Sequence, residues 1–180
     1  MRNNKTLRLT LAALFLALGL LLPFLTGNNR ALGNMLSLMH IPVLLCGFVC
    51  GPWYGLAIGI ATPLLRTLLV GMPPWGPVVW GMTFELGAYG LLAGLLYKAL
   101  PKNINTLYLA LVLSMLGGRL VLGIANYIIF SIMGSPYTLQ MFWAAAFVTP
   151  VPGIIVHIAL IPPVLMALEK FKLFPLKDGV

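Results

Sequence analysis

Long apolar runs separated by short polar breaks dominate this chain. They fall at roughly 7–26, 38–50, 53–70, 77–97, 106–133 and 147–168, with only Gly51-Pro52 dividing the second from the third. A helix needs about 20 mainly apolar residues to cross a hydrocarbon core of about 30 Å, and most of these runs come close to that length. None shows the alternating pattern of a transmembrane strand, so backbone groups at membrane depth must be satisfied inside helices. The pattern predicts an all-α integral membrane bundle of six transmembrane helices, forming a single domain over residues 1–180.

Composition strengthens that reading. With 61% hydrophobic residues, 8% charged residues and a mean hydropathy of +1.02, the chain carries more apolar surface than one soluble core could bury. The positive charges supply an orientation. Arg2, Lys5 and Arg8 precede the first run, Lys98 and Lys102 lie between the fourth and fifth, and Lys170, Lys172 and Lys177 follow the last. Six spans put all three groups on one side, expected to be the cytoplasm, together with both termini of a multi-pass protein of the cell membrane. Arg30 alone is expected in an outer loop, so the net charge of +8 reflects insertion bias, with no nucleic-acid partner, although a basic rim can attract the anionic lipid of the bilayer. The first run also resembles a signal-peptide core with a loose cleavage site at Ala31-Leu32-Gly33; its length and the spans that follow favour an uncleaved helix.

Several function classes lose support at this point. The connector Lys98–Asn105 and the tail after Glu169 are too short for a nucleotide-binding fold, so any ATP-driven step is expected from another chain. There is no Walker A loop, no Gly-rich dinucleotide turn and no pair of general acid/base carboxylates, and no cofactor is expected. The two cysteines, Cys46 and Cys50, sit four apart within an apolar run, with His40 the nearest further metal-ligand candidate; buried inert thiols are the preferred reading, without a metal.

Arg66, Glu85 and Arg119 carry the chemistry. Each stands inside an apolar run, where an ionisable side chain is costly unless paired or facing water. Counting along the helices puts Arg66 and Glu85 in the outer half and Arg119 near the middle of its span, with Asn126, seven residues on, on the same face but nearer the outside. Asn126 and Tyr127 are read as a polar wall. A buried Arg–Glu pair can serve helix packing alone. Two arginines against one glutamate nevertheless leave one excess positive charge, which suits an anionic ligand, because a guanidinium holds a carboxylate bidentately. Glu85 is read either as a ligand contact or as a group that orients an arginine.

The segments Thr26–Ser37 and Val70–Pro77 are expected to be outer loops, in which Met35, Met39, Met72 and Trp75 lie where a water-facing mouth would be. The Pro73-Pro74 pair restricts the second and favours a shaped lid; Trp75 and Trp80 are equally readable as an interfacial belt. His40, near the outer face, is a possible ligand donor or a satisfied structural histidine, and His157, deep in the last run, is read as structural. Ala13 and Ala17, four apart on the first helix, allow close approach of another helix, and composition alone favours internal packing.

The segment Met39-His40-Ile41-Pro42-Val43-Leu44-Leu45-Cys46-Gly47-Phe48, followed by Gly51-Pro52-Trp53-Tyr54-Gly55 and Pro63-Leu64-Leu65-Arg66, resembles the substrate-binding S components of energy-coupling factor (ECF) vitamin transporters. The likeness covers essentially the whole chain in length, span number and orientation. It implies a subunit that binds one vitamin in an outward-facing pocket and works with a membrane coupling protein and two cytoplasmic ATPases, toppling in the membrane to carry the pocket inward. It also implies that Ala13 and Ala17 contact the coupling protein, reversing the preference from composition. The stretch from Met39 to Pro74 looks most like S components assigned to pantothenate. The expected function is therefore high-affinity binding for uptake, without catalysis: Arg66 and Arg119 as carboxylate ligands, Glu85 and Asn126 bonding hydroxyl or amide groups, and His40 and Trp75 at the mouth. Pyridoxine, hydroxymethylpyrimidine, riboflavin, nicotinate, biotin and lipoate remain alternatives.

Three rivals stand beside this reading. A membrane enzyme would need clustered carboxylates or a metal site, against three acidic residues in the whole chain. A stand-alone channel or proton-coupled carrier would show several intramembrane acids or a polar stripe. A purely structural subunit would lose folding, but no ligand binding, on substitution of its arginines.

Overall fold

The computed structural model describes residues 5–27 and 29–171. Arg2, Lys172 and Lys177 of the charge pattern lie outside the described residues, as does the side chain of Arg30. The helices are α1 (Lys5–Leu21), α2 (Arg30–Leu36), α3 (His40–Cys50), α4 (Pro52–Val70), α5 (Pro77–Ala99), α6 (Ile104–Ile132), α7 (Leu139–Trp143) and α8 (Val151–Lys170). A 3₁₀ turn at Leu22–Thr26 extends α1, a π turn at Ala144–Val148 joins α7 to α8, and no strand occurs among the described residues. Six stretches are long and apolar enough to cross a membrane: Lys5–Thr26, Ala31–Cys50, Pro52–Val70, Pro77–Ala99, Ile104–Ile132 and Leu139–Lys170.

Two boundaries differ from the expectation. The stretch Thr26–Ser37, expected as a loop, contains α2, because the Asn29 side chain accepts from the backbone N–H groups of Ala31 and Leu32 and so caps a helix whose first turn would otherwise lack acceptors. The last span begins before residue 147. Pro150 cannot donate to the helix ladder and its ring crowds the preceding turn; the chain inserts a π turn there, with the Thr149 N–H donating to the Ala144 carbonyl five residues back.

α3 is buried along its whole length, which explains why it is apolar on every side. It ends at Gly51, whose φ of 102° reverses the chain so that Pro52 can open α4. Glycines then let α3, α4 and α5 touch backbone to backbone. A Cβ at Gly55 would lie 2.4 Å from the Gly90 carbonyl oxygen, one at Gly47 2.3 Å from the same atom, and one at Gly59 2.3 Å from that of Leu86. Such contact is how helices associate in a medium as apolar as their own side chains. Leu44, Cys46, Cys50, Leu107 and Leu111 fill the surrounding core, with both cysteines as free thiols.

The alternating run of six spans brings Lys5, Arg8, Lys98, Lys102 and Lys170 to one end of the bundle. Lys102 donates to the Tyr97 carbonyl and lies 4.2 Å from the centre of the Tyr97 ring. At the opposite end, the turn after α1, α2, the start of α3, the end of α4, the start of α5, the late half of α6 and the π turn that precedes α8 surround a hollow.

Candidate substrate-binding site

The hollow has a volume of about 350 Å³ and gathers five of the six residues expected to meet a ligand: His40, Arg66, Glu85, Arg119 and Asn126. Trp75 is not among its walls; it is 57% exposed, while its neighbours Pro73 and Pro74 and the nearby Met72 do line the space. The Thr67 hydroxyl donates to the Pro73 carbonyl at 2.7 Å and fastens this loop to α4.

The two arginines are held differently. Arg66 is 4% exposed, donates to the Leu20 carbonyl at 2.7 Å and lies 5.0 Å from the centre of the Phe24 ring. It therefore stitches α4 to the end of α1 while facing the hollow. Arg119 is 3% exposed, and among the described residues its guanidinium has no hydrogen bond or ion pair. It lies 5.9 Å from the centre of the Phe147 ring, carried by the π turn. Behind Arg119 lies a smaller hollow of about 100 Å³ between α6 and α8, whose other walls, including Val112, Leu116 and Ile154, are apolar. The main cavity is the side of this cation that carries polar neighbours.

Among the described residues Glu85 forms no ion pair with Arg119; of its two readings, ligand contact or a group that orients an arginine, the second finds no support at Arg119. Its Oε2 lies 3.6 Å from Nε2 of His40, an ion pair when the ring is protonated, and its Oε1 accepts from the Tyr89 hydroxyl at 3.0 Å. His40 is both a wall of the cavity and a bonded histidine. Its Nδ1 donates to the Ser37 carbonyl at 3.1 Å. His157, fully buried and off the cavity, donates from Nε2 to the same carbonyl at 3.2 Å, and the two imidazoles stack at 5.9 Å. Ser37 adopts a left-handed φ of 48°, and its carbonyl accepts from both rings.

Asn126 reaches the cavity as its spacing from Arg119 required, whereas Tyr127, one residue on, faces outward and is 63% exposed. The Asn126 side chain donates to the Tyr137 hydroxyl at 3.5 Å, and its Oδ1 is buried without a partner. Gly81 makes room for it, since a Cβ there would lie 2.3 Å from Oδ1. A buried unpaired acceptor costs free energy until a donor arrives.

Several contributors escaped the sequence reading. Asn29, Asn34, Ser37 and Thr149 line the cavity, and Tyr89 stands behind Glu85. The caps and turns that carry the first four have weak hydropathy signatures; Tyr89 was signalled only by its place four residues after Glu85 on one helix. On α1, Ala12, Phe15 and Gly19 face the core while Ala13 and Ala17 are exposed, so the small-residue pair points away from the bundle and the internal packing favoured by composition is not what forms.

A family model described as the ECF transporter substrate-specific component matches residues 7–165. The chain belongs to this family. It is thus a multi-pass membrane protein and a substrate-binding transport subunit, one that associates with an ECF module rather than acting as an enzyme itself. No curated protein and no solved structure matches the chain significantly. In this S component the hollow between α2, α3, α4, α5, α6 and the π turn is the candidate substrate site.

Proposed function

We propose that this S component captures a small carboxylate-bearing vitamin, pantothenate first, for uptake by an ATP-driven ECF module in the cell membrane. The observation that carries the reading is Arg119: a buried guanidinium with no protein acceptor among the described residues, at the wall of a partly open hollow that holds several polar side chains. A permanent cation in a low-dielectric site attracts an anion strongly, and a carboxylate matches its fork of donors. Arg66, engaged by the Leu20 carbonyl, adds a second positive charge, and the single carboxylate of Glu85 does not offset both.

The remaining walls suit pantothenate's hydroxyls and amide. Asn126 offers an unpaired acceptor, Glu85 a carboxylate acceptor and His40 an imidazole nitrogen. A volume of about 350 Å³ lies at the small end of the usual range for ligand pockets, roughly 300–1,000 Å³, which favours a compact vitamin over riboflavin. Pyridoxine, nicotinate, biotin and lipoate are the competing substrates. Trp75 would border the mouth without entering it.

The lysines and Arg8 at the opposite end favour a cytoplasmic location for that end, which turns the cavity outward. The exposed pair Ala13 and Ala17 would let a helix of the coupling protein approach α1 closely, with two ATPases completing the module. The test is to purify the chain and screen vitamins by tryptophan fluorescence or native mass spectrometry. Pantothenate is expected to bind with one molecule per chain. Binding of a neutral or cationic vitamin, with no carboxylate vitamin bound at submillimolar concentration, would overturn the assignment of Arg119.

A further inference from the structure

A carboxylate and a guanidinium that share one low-dielectric cavity attract each other strongly. Glu85 and Arg119 share such a cavity and are nevertheless unpaired. Oε1 of Glu85 accepts from the Tyr89 hydroxyl at 3.0 Å, and Oε2 lies 3.6 Å from Nε2 of His40, an ion pair only when that ring is protonated. We infer that Tyr89 is a positioning residue for substrate: its hydroxyl holds the Glu85 carboxylate off Arg119 and so keeps that guanidinium open to an anion. The inference rests on Arg119 as the carboxylate ligand proposed above.

Tyr89 is built to do this. It lies four residues after Glu85 on α5, so the two side chains meet along one face of the helix. It is fully buried, and its ring occupies the space that a side chain at 118 would fill: a Cβ on Gly118 would lie 1.9 Å from the ring. Gly118 directly precedes Arg119, so the seat of the clamp and the cation it protects belong to one turn of α6. The His40 ring, 5.3 Å from that of Tyr89, is fixed in turn by the Ser37 carbonyl.

Tyr89→Phe keeps the ring in its seat and removes only the hydroxyl. Glu85 can then turn toward Arg119 and compete with the ligand. On the full chain in lipid nanodiscs, pantothenate affinity is expected to fall about tenfold, a typical loss for one hydrogen bond to a charged group, while the neutral alcohol analogue pantothenol changes less than about twofold. In a Glu85→Gln background, where no carboxylate competes, Tyr89→Phe is expected to leave the pantothenate-to-pantothenol ratio within about twofold. Equal losses for both probes, or an undiminished loss in the Glu85→Gln background, would mark a merely structural tyrosine and overturn the inference.

A ligand-free measurement separates this inference from the functional reading. Melting shifts for Glu85→Gln and Arg119→Gln should add when Tyr89 is present and become non-additive after Tyr89→Phe, as a new ion pair forms. Additivity in both backgrounds overturns the clamp. Non-additivity after Tyr89→Phe, in a protein that does not prefer pantothenate to pantothenol, upholds the clamp and removes the carboxylate reading instead. Should Tyr89→Phe not fold, His40→Phe removes the other group beside Glu85 and is read by the ligand-free melting cycle alone.

Discussion

The two ends of the helix bundle solve opposite problems with neighbouring stretches of the same helices. In the first half of α4 and the second half of α5, Gly55, Gly59, Gly90 and Gly94 bring backbones into contact and leave no space. In the second half of α4 and the first half of α5, Arg66, Val78, Met82 and Glu85 stand around a hollow. Small residues close one end, and ion-bearing side chains line the other. The closed end needs no polar partner because its cohesion is van der Waals contact, whereas every charge at the open end must find a partner, a face of the cavity or a ligand. A tight seam at one end therefore lets the other remain hollow without the bundle losing its shape.

The largest effect should come from breaking the closed end. A Cβ at Gly90 would lie 2.2 Å from the Gly55 carbonyl oxygen, a backbone atom that cannot step aside. Gly90→Ala is expected to cost about 3 kcal/mol, read as a lower melting temperature in detergent or nanodiscs, with ligand affinity lost only as the fold is lost. Next comes the open end. Arg119→Gln should weaken pantothenate binding about 100-fold while the melting temperature moves little, since no protein acceptor is left unpaired; titration calorimetry beside a melt checks both. Arg66→Gln should show a mixed result, about tenfold in affinity together with a lower melting temperature, because the same side chain ties α4 to the Leu20 carbonyl. The smallest effect belongs to Trp75→Ala, outside the cavity walls, with a change of less than about twofold in affinity by the same titration. If Arg119→Gln proved as destabilising as Gly90→Ala, the division of labour between the two ends would fail.

The spans were legible in the sequence because a run of apolar residues has one explanation at this length. The break at Gly51-Pro52 was legible because those two residues cannot continue a helix without strain. Arg66, Glu85 and Arg119 drew notice as ionisable groups in apolar surroundings, and Asn126 because seven residues return a helix to the same face. What hydropathy could not supply was which groups meet across helices. Glu85 was readable either as a ligand contact or as a group that orients an arginine; its distances are to His40 and Tyr89, and the Tyr89 ring is seated by Gly118. α2 stayed hidden because its capping residue Asn29 lies in a stretch rich in Gly and Asn that reads as a loop. The π turn was hidden because a proline marks a break without stating how the chain accommodates it.

The bond from His157 to the Ser37 carbonyl joins residues 120 positions apart. Gly153 strengthens the same attachment, because the carbonyls of Met35 and Leu36 rest where its side chain would be. The rim carried by α2 thus leans on the final helix. During synthesis, a nascent chain with five spans inserted already holds both arginines but lacks the π turn that completes the hollow. That end of the bundle matures only when the ribosome has delivered the last helix.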